Sequence, residues 1–440
     1  MLQLTDKRNG FMNHQIAVSK TSKRIIETKC SLRLAKIDSA EKIHALSEES
    51  ENGRRVYSRI KLNLIDIEDH QNDNLEFNLK PNEVLWLLYR SRIGVTYKQN
   101  YTDTLYRRWP GKDGVMVETS VTIKYTKTMR YPFRVEIKRM EGISDNRSNG
   151  AIAEGKNVNM IDMLLSEQAF FSLMNDTARY MRLWELTFAC NLIKERHARD
   201  EMIPASQMLR LKQISVRKTE DTVFEFLDSL KPADVEYAEN IYSGERYYFD
   251  DHELVNSEGS KLLTRDHSRL TLKIRDTKNK TANGKQVTAG FALSVPDINY
   301  IIAAMEPSIL FKKDFEFNGF RKWGSKDGLI THTMIHIQYQ RYFDQSKNLE
   351  YDYPFYINII NRTGKGDISG NKIIKKESEC QLSVRLTPFE FFSMLMDCKR
   401  YMDIFEVTYG IQMIEDKSIL EKKKSEEYLR EKEWRFYNVV

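Results

Sequence analysis

Four cysteines in 440 residues, Cys30, Cys190, Cys380 and Cys398, lie far apart and form no CxxC pair. That spacing excludes a zinc ribbon and offers no disulfide framework, so ordinary buried thiols are expected. Long apolar runs are missing as well. The basic N-terminal stretch with Lys7, Arg8, Lys20, Lys23 and Arg24 contains no apolar segment fit for a signal peptide, and no run of about twenty apolar residues occurs. The expectation is a cytoplasmic protein with no membrane partner. Charge of one sign is also scarce, because a formal net charge of +6 is small for this length. Affinity for a polyanion has to come from local clusters of Lys and Arg.

Catalytic signatures are equally thin. Gly150-Ala-Ile-Ala-Glu-Gly-Lys-Asn157 nearly spells a phosphate-binding loop, but Asn157 stands where Ser or Thr should hold magnesium, and a strand is expected to follow rather than a helix. His332 and His336 share a face of a predicted strand, yet no third metal ligand is evident. Asp66, Glu68 and Asp69 read as a solvated strand end, since a divalent-metal nuclease would want further acids. Nothing composes a Ser-His-Asp or Cys-His constellation. No catalytic residue, metal or cofactor is therefore expected.

What the chain does contain is a repeat of itself. Trp109-Pro-Gly-Lys-Asp-Gly114 matches Trp323-Gly-Ser-Lys-Asp-Gly328 at an offset of 214 residues, which also pairs Val121, Ile123 and Tyr125 with Ile335, Ile337 and Tyr339. Upstream, the same offset pairs Phe77 and Leu79 with Phe291 and Leu293. Tyr131-Pro-Phe133 meets Tyr353-Pro-Phe355 at offset 222, and the stretch Phe170 to Met181 lies over Phe391 to Met402 at offset 221. Each copy divides again, because a strand-like run leads into a helix start twice per copy. Pro81 with Glu83, Ser166 with Glu167, Pro296 with Asp297, and Thr387-Pro-Phe-Glu390 supply the cap, first-turn proline and early acid that free helix N–H groups favour.

Strands and helices differ in period. Val121, Ile123 and Tyr125 alternate with Thr122, Lys124 and Thr126, and Phe133, Val135 and Ile137 with Arg134, Glu136 and Lys138, so one sheet face is packed and the other open. Phe170, Leu173, Met174, Thr177, Met181, Trp184 and Phe188 recur at helical spacing. With Met394, Met396 and Met402 they predict apolar helix stripes that join domains or chains, making a homodimer through these helices the expected assembly. The chain is read as a disordered segment over 1–22, a first domain over 23–196, a linker with a short helix at Asp221 to Leu230 over 197–240, a second domain over 241–415 and a charged helical tail over 416–440. The tail's aromatic end, Trp434-Arg-Phe-Tyr437, suits a docking peptide for a protein partner.

Four strands followed by a helix, with the junction Leu386-Thr-Pro-Phe-Glu390, resembles the single-stranded-DNA-binding fold of the transcriptional positive coactivator four. Doubling that unit within one domain is similar to the Whirly proteins and the kinetoplastid mitochondrial guide-RNA-binding proteins. The likeness covers roughly residues 55 to 195 and 260 to 415. It implies an α+β fold of two tandem Whirly-like domains, each a pair of four-stranded antiparallel sheet plus helix units. It also implies sheet-based binding of single strands, with bases against aromatic and apolar side chains at sheet edges and phosphates outside. The composition suits a phage or mobile element.

The residues themselves agree with that reading. Beside 69 Lys and Arg stand 22 Tyr, 21 Phe and 5 Trp, and aromatic faces stack bases while cations track phosphates. Arg107, Arg108, Trp109 and Lys112, repeated as Arg321, Lys322, Trp323 and Lys326, place an indole among cations in each copy. Either these hold a nucleotide, or the indole closes the end of a barrel with cations on its rim. A second candidate surface comprises Lys124, Lys127, Arg130, Tyr131, Arg134, Lys138 and Arg139, matched by Tyr339, Arg341, Tyr342, Tyr353 and Tyr356. The leading expectation is a non-enzymatic binder of single-stranded DNA in replication, recombination or transfer. The alternatives are an RNA-binding protein of the same fold and a structural or protein-interaction scaffold.

Overall fold

The computed structural model describes residues 14–32, 47–49, 55–57, 59–68, 73–111, 115–144, 152–197, 213–219, 221–230, 249–255, 261–267, 269–280, 284, 286–324, 329–340, 343–344, 349–350, 353–366 and 373–437. These divide into two compact units, one up to Glu185 and one from Leu186 onward. Four times over, the chain runs through four antiparallel strands in order and then into a helix.

Sheet I joins β1 (Gln15–Lys20), β2 (Arg24–Ser31), β3 (Arg59–Asp66) and β4 (Asn74–Leu79) and leads into α1 (Pro81–Tyr97). Sheet II joins β5 (Tyr101–Pro110), β6 (Met116–Tyr125), β7 (Phe133–Ser144) and β8 (Ile152–Leu165) and leads into α2 (Glu167–His197). Sheet III joins β9 (Gln213–Lys218), β10 (Thr222–Ser229), β11 (Arg269–Lys280) and β12 (Gln286–Ser294), followed by α3 (Val295–Phe311). Sheet IV joins β13 (Phe315–Gly324), β14 (Leu329–Tyr339), β15 (Phe355–Gly366) and β16 (Ile373–Leu386), followed by α4 (Pro388–Tyr437). The architecture is thus α+β, with every strand of the four sheets paired antiparallel to its sequence neighbour in the sheet. Short hairpins decorate the connections between second and third strands of sheets I, III and IV.

Three expectations change here. Residues 15–20, inside the segment expected to be disordered, form β1 and pair with β2. Residues 213–229, expected as linker with a short helix, form the hairpin β9–β10, and β10 pairs in turn with β11. Val223, Phe224 and Phe226 make a short apolar run, which periodicity alone cannot assign to helix or strand, and pairing on both sides decides for strand. The charged tail is a continuation of α4, whose backbone stays helical to Tyr437.

The helix starts follow the sequence signals. Glu83, third residue of α1, accepts a 2.7 Å bond from the Lys80 amide, and Ser294 and Asp297 bond reciprocally at the head of α3. The Ser166 hydroxyl accepts from the Ala169 amide at 3.1 Å, while Thr387 and Glu390 form a capping box at 3.0 and 3.1 Å. Each such box satisfies amides that helix geometry leaves without partners.

Inner faces are packed alike in both units. Phe133 lies 4.4 Å from Phe170 and 4.9 Å from Tyr125, and their counterparts Phe355, Phe391 and Tyr339 repeat this at 4.4 and 5.1 Å. Each helix also reaches the other sheet of its unit. Arg90 of α1 meets Asp103 of β5 at 2.8 Å, and Thr177 of α2 meets Thr28 of β2 at 2.7 Å. In the second unit Tyr300 of α3 lies 6.2 Å from Phe317 of β13, and Asp397 of α4 accepts from Ser215 of β9 at 2.9 Å. Met174, Met181, Met394 and Met402 are buried in these contacts. The buried part of the helix stripes expected to join domains or chains therefore serves the cores of their own units, and it lends the expected homodimer no support.

Candidate nucleic-acid interface

Because side chains alternate across a strand, the inward placement of Val121, Ile123, Tyr125, Phe133, Val135 and Ile137 sends the intervening residues to the outer face of sheet II. Register places Tyr106 beside Ser120 and Lys138, Arg108 beside Glu118 and Met140, and Lys124 beside Arg134 and Leu164. In sheet IV the corresponding outer face carries Phe320, Lys322, His332, His336, Tyr356, Asn358, Arg362, Gln381 and Arg385.

Part of the predicted surface assembles here. Lys124, Arg134 and Lys138 lie on one face of sheet II, and Lys127, Arg130 and Tyr131 occupy the turn between β6 and β7 at the same end as Lys124. Lys124, Lys127, Arg130 and Lys138 make no ion pair with a described residue. Arg130 lies 5.5 Å over the Tyr131 ring, which is 45% exposed, and Tyr353 at the equivalent turn is 43% exposed. Arg134 is held between Glu136 at 3.2 Å and Asp162 at 2.8 Å. Tyr356 is half-buried beneath the Arg385 guanidinium, 5.0 Å from its ring centre.

Other predicted contacts do not belong to this surface. Arg107 points inward, bonding the carboxylate of Glu83 and the carbonyl of Asn78, with its guanidinium 4.9 Å over Phe77. Arg321 repeats this with Asp297 at 2.8 Å and Phe291 at 5.5 Å. Both arginines sit one residue out of step with the open face, and they join sheet to helix. Trp109 shares the strand parity of Arg107 and lies at the end of β5 remote from Tyr131, so one base cannot use both. Its ring is 40% exposed. Arg139 also has the inward parity and pairs with Glu141 at 3.8 Å. Tyr339 is only 4% exposed, a core residue next to Phe355, because β14 turns its odd positions inward. Arg108 is on the open face but is paired with buried Glu118 at 2.5 Å. Lys112, Lys326, Arg341 and Tyr342 lie outside the described residues, as does the side chain of Trp323.

Two aromatics on the open faces lie outside the contacts expected from the sequence motifs. Tyr106 and Phe320, an offset of 214 apart, are each 51% exposed in the middle strand region of β5 and β13. Their signal was strand parity: in Tyr106-Arg-Arg-Trp109 the tyrosine, and not the tryptophan, alternates with inward Arg107. A second missed signal is an additional repeat, Gln15-Ile16, Val18 and Lys20-Thr21 against Gln213-Ile214, Val216 and Lys218-Thr219, offset by 198 residues. It carries a matching interior device. Glu27 accepts from Gln15, and Glu225 accepts from Gln213, on both occasions with the carboxylate buried.

The acids near these faces have assigned partners. Asp66 is bonded by Arg24 and Glu68 by Lys23, so the described part of the acidic cluster is neutralised by local cations. His336 faces Glu316 at 3.1 Å, where a hydrogen bond from Asn318 chiefly holds the Glu316 carboxyl below its ordinary value. Among the described residues no three His, Cys, Asp or Glu side chains are grouped so as to hold a metal ion, and no helix is long and apolar enough to cross a membrane. No protein-family model matches the chain, and no curated protein matches it.

Proposed function

We propose that this chain binds single-stranded nucleic acid, DNA in the first place, on the outer faces of its sheets and without catalysis, as a coating protein in replication, recombination or DNA transfer. The observation that carries the reading is the retention of large aromatics in solvent at equivalent places of both copies, Tyr106 with Phe320 and Tyr131 with Tyr353. An aromatic left exposed in one copy has no required counterpart. Two such pairs, with cations on the same faces or turns, supply stacking platforms and phosphate partners together. The repeated order of four strands and a helix, with each helix reaching the partner sheet of its unit, supports two tandem Whirly-like domains.

One observation favours protein docking instead. Val158, Met160 and Leu164 are exposed along β8, which is an edge strand of sheet II among the described residues, and such an apolar edge strand suits an added polypeptide strand. Anisotropy titrations of labelled single-stranded DNA, RNA of the same sequence and duplex DNA over a salt series separate the readings. Single-strand binding whose log affinity falls linearly with log salt, and weaker duplex binding, is the expected result. Absence of single-strand binding at low salt would overturn it.

A further inference from the structure

The two copies carry different charge across the same row of their second sheets. In sheet II the row runs from Arg108 on β5 to Glu118 on β6 and Met140 on β7, and the 2.5 Å ion pair between the first two neutralises it. In sheet IV, Lys322 on β13 stands opposite His332 on β14, which stands opposite Arg362 on β15. A histidine thus replaces the acid, and an arginine replaces the methionine. The row ends at Glu379 on β16, which Lys376 and Arg362 both bond. The Phe320 ring stands edge-on to His332, 5.2 Å away, with half of its surface in solvent. His332 has a ring nitrogen, Nε2, that is buried beneath the face and has no hydrogen-bond partner among the described residues.

We infer that Lys322, His332 and Arg362 form a phosphate-binding row on sheet IV, with Phe320 as the stacking platform for the adjoining base, and that proton uptake by His332 strengthens it. The inference rests on the proposed single-strand binding and deepens it by assigning the backbone contacts to the second unit. A phosphodiester between Lys322 and Arg362 favours the charged imidazole, and the imidazole is the side chain whose charge changes between pH 5 and 8. The groups facing His332 are Lys322 from β13, Arg362 from β15 with Glu379 beyond it on β16, and His336 with Glu316 farther along the same face. Sheet II has no histidine at its corresponding row, so its binding is expected to be indifferent to pH in this range.

The test uses the full chain and a labelled oligo-dT strand, titrated over salt at pH 5.5 and pH 8. Wild type should bind more tightly at pH 5.5, with a salt slope steeper by about 0.7, the increment for one more phosphate contact on a single strand. His332→Gln should remove most of that pH difference, whereas His336→Gln should retain it. Arg362→Gln should flatten the slope by about 0.7 at both pH values. His332→Glu restores the acid found in the first copy and should weaken binding about tenfold at pH 8. Thermal melts verify folding of each variant, and Arg362→Gln tests the row independently should His332→Glu not fold. If wild type binds but His332→Gln and Arg362→Gln keep its affinity, slope and pH response, the row is refuted while single-strand binding stands. Failure of wild type to bind at either pH overturns the function itself.

Discussion

Arg107, on the first strand of sheet II, donates to the carboxylate of Glu83, which simultaneously caps the first turn of α1. One acid thereby ties a helix start to the next sheet. Arg321 and Asp297 repeat the arrangement in the second unit. In the first unit Glu83 is buried, so removal of its partner strands a charge away from water. Arg107→Ala is expected to lower the stability of the first unit by about 2–4 kcal/mol, read as a shifted urea midpoint. An unchanged midpoint would show that the pair is dispensable.

Glu27 gives a pH signature. Burial would raise its carboxyl, but hydrogen bonds from Lys29, Asn63 and Gln15 outweigh burial and hold it below the ordinary 4.5. A carboxyl lowered in the folded state binds fewer protons there than in the unfolded chain. Its stabilisation is present above about pH 4.5 and is lost as pH falls through its folded value. Glu27→Gln should cost about 1–2 kcal/mol at pH 7 and less at pH 3. Urea melts at the two pH values measure the difference, and equal costs would contradict the assignment.

The Arg90–Asp103 pair is largely shielded from solvent in the first unit, while the second has Ala304 and Phe317 at those positions. Burial pushes the Asp103 carboxyl up in spite of Arg90. Such a pair is costly to break singly and cheap to replace whole. Arg90→Ala alone should destabilise by about 3 kcal/mol, and Arg90→Ala with Asp103→Phe should recover most of that. The double variant proving as unstable as the single one would show that the surrounding volumes differ between units.

On the open faces, binding and stability should separate. Tyr106→Ala and Phe320→Ala are each expected to weaken single-strand binding by about 1–3 kcal/mol, the range for one stacked base. Lys124→Ala with Lys138→Ala should flatten the salt slope by about 1.4, at about 0.7 per contact. Melting temperatures should hardly move, since none of these side chains is in a core. Loss of stability without loss of binding would place them in a structural role.

Much of the architecture was legible in the chain. The offsets of 214, 222 and 221 residues marked two copies, and the cap and first-turn signals at Pro81, Ser166, Pro296 and Thr387 marked four helix starts, because capping and strand alternation depend on near neighbours. The hairpin β9–β10 was not legible, as its apolar residues gain meaning only from pairing with β11. Nor was the role of Arg107 or Tyr339. Composition makes a cation or an exposed-looking aromatic a candidate contact, but strand parity and the nearest acid decide which way it faces.

The sequence by itself determined that the chain is duplicated, where its helices begin and which strand positions alternate. Tertiary structure decided which of the cations and aromatics on those strands meet solvent and which meet an acid or a core, because that depends on the second sheet and the helix that cover the other face. It also decided how the copies differ. Thr28 and Thr177 share a hydrogen bond in one unit where Phe226 and Cys398 are buried in the other, and Glu118 neutralises a row that His332 leaves cationic on protonation. Those pairs are far apart in the chain, and only packing brings their members within reach of each other.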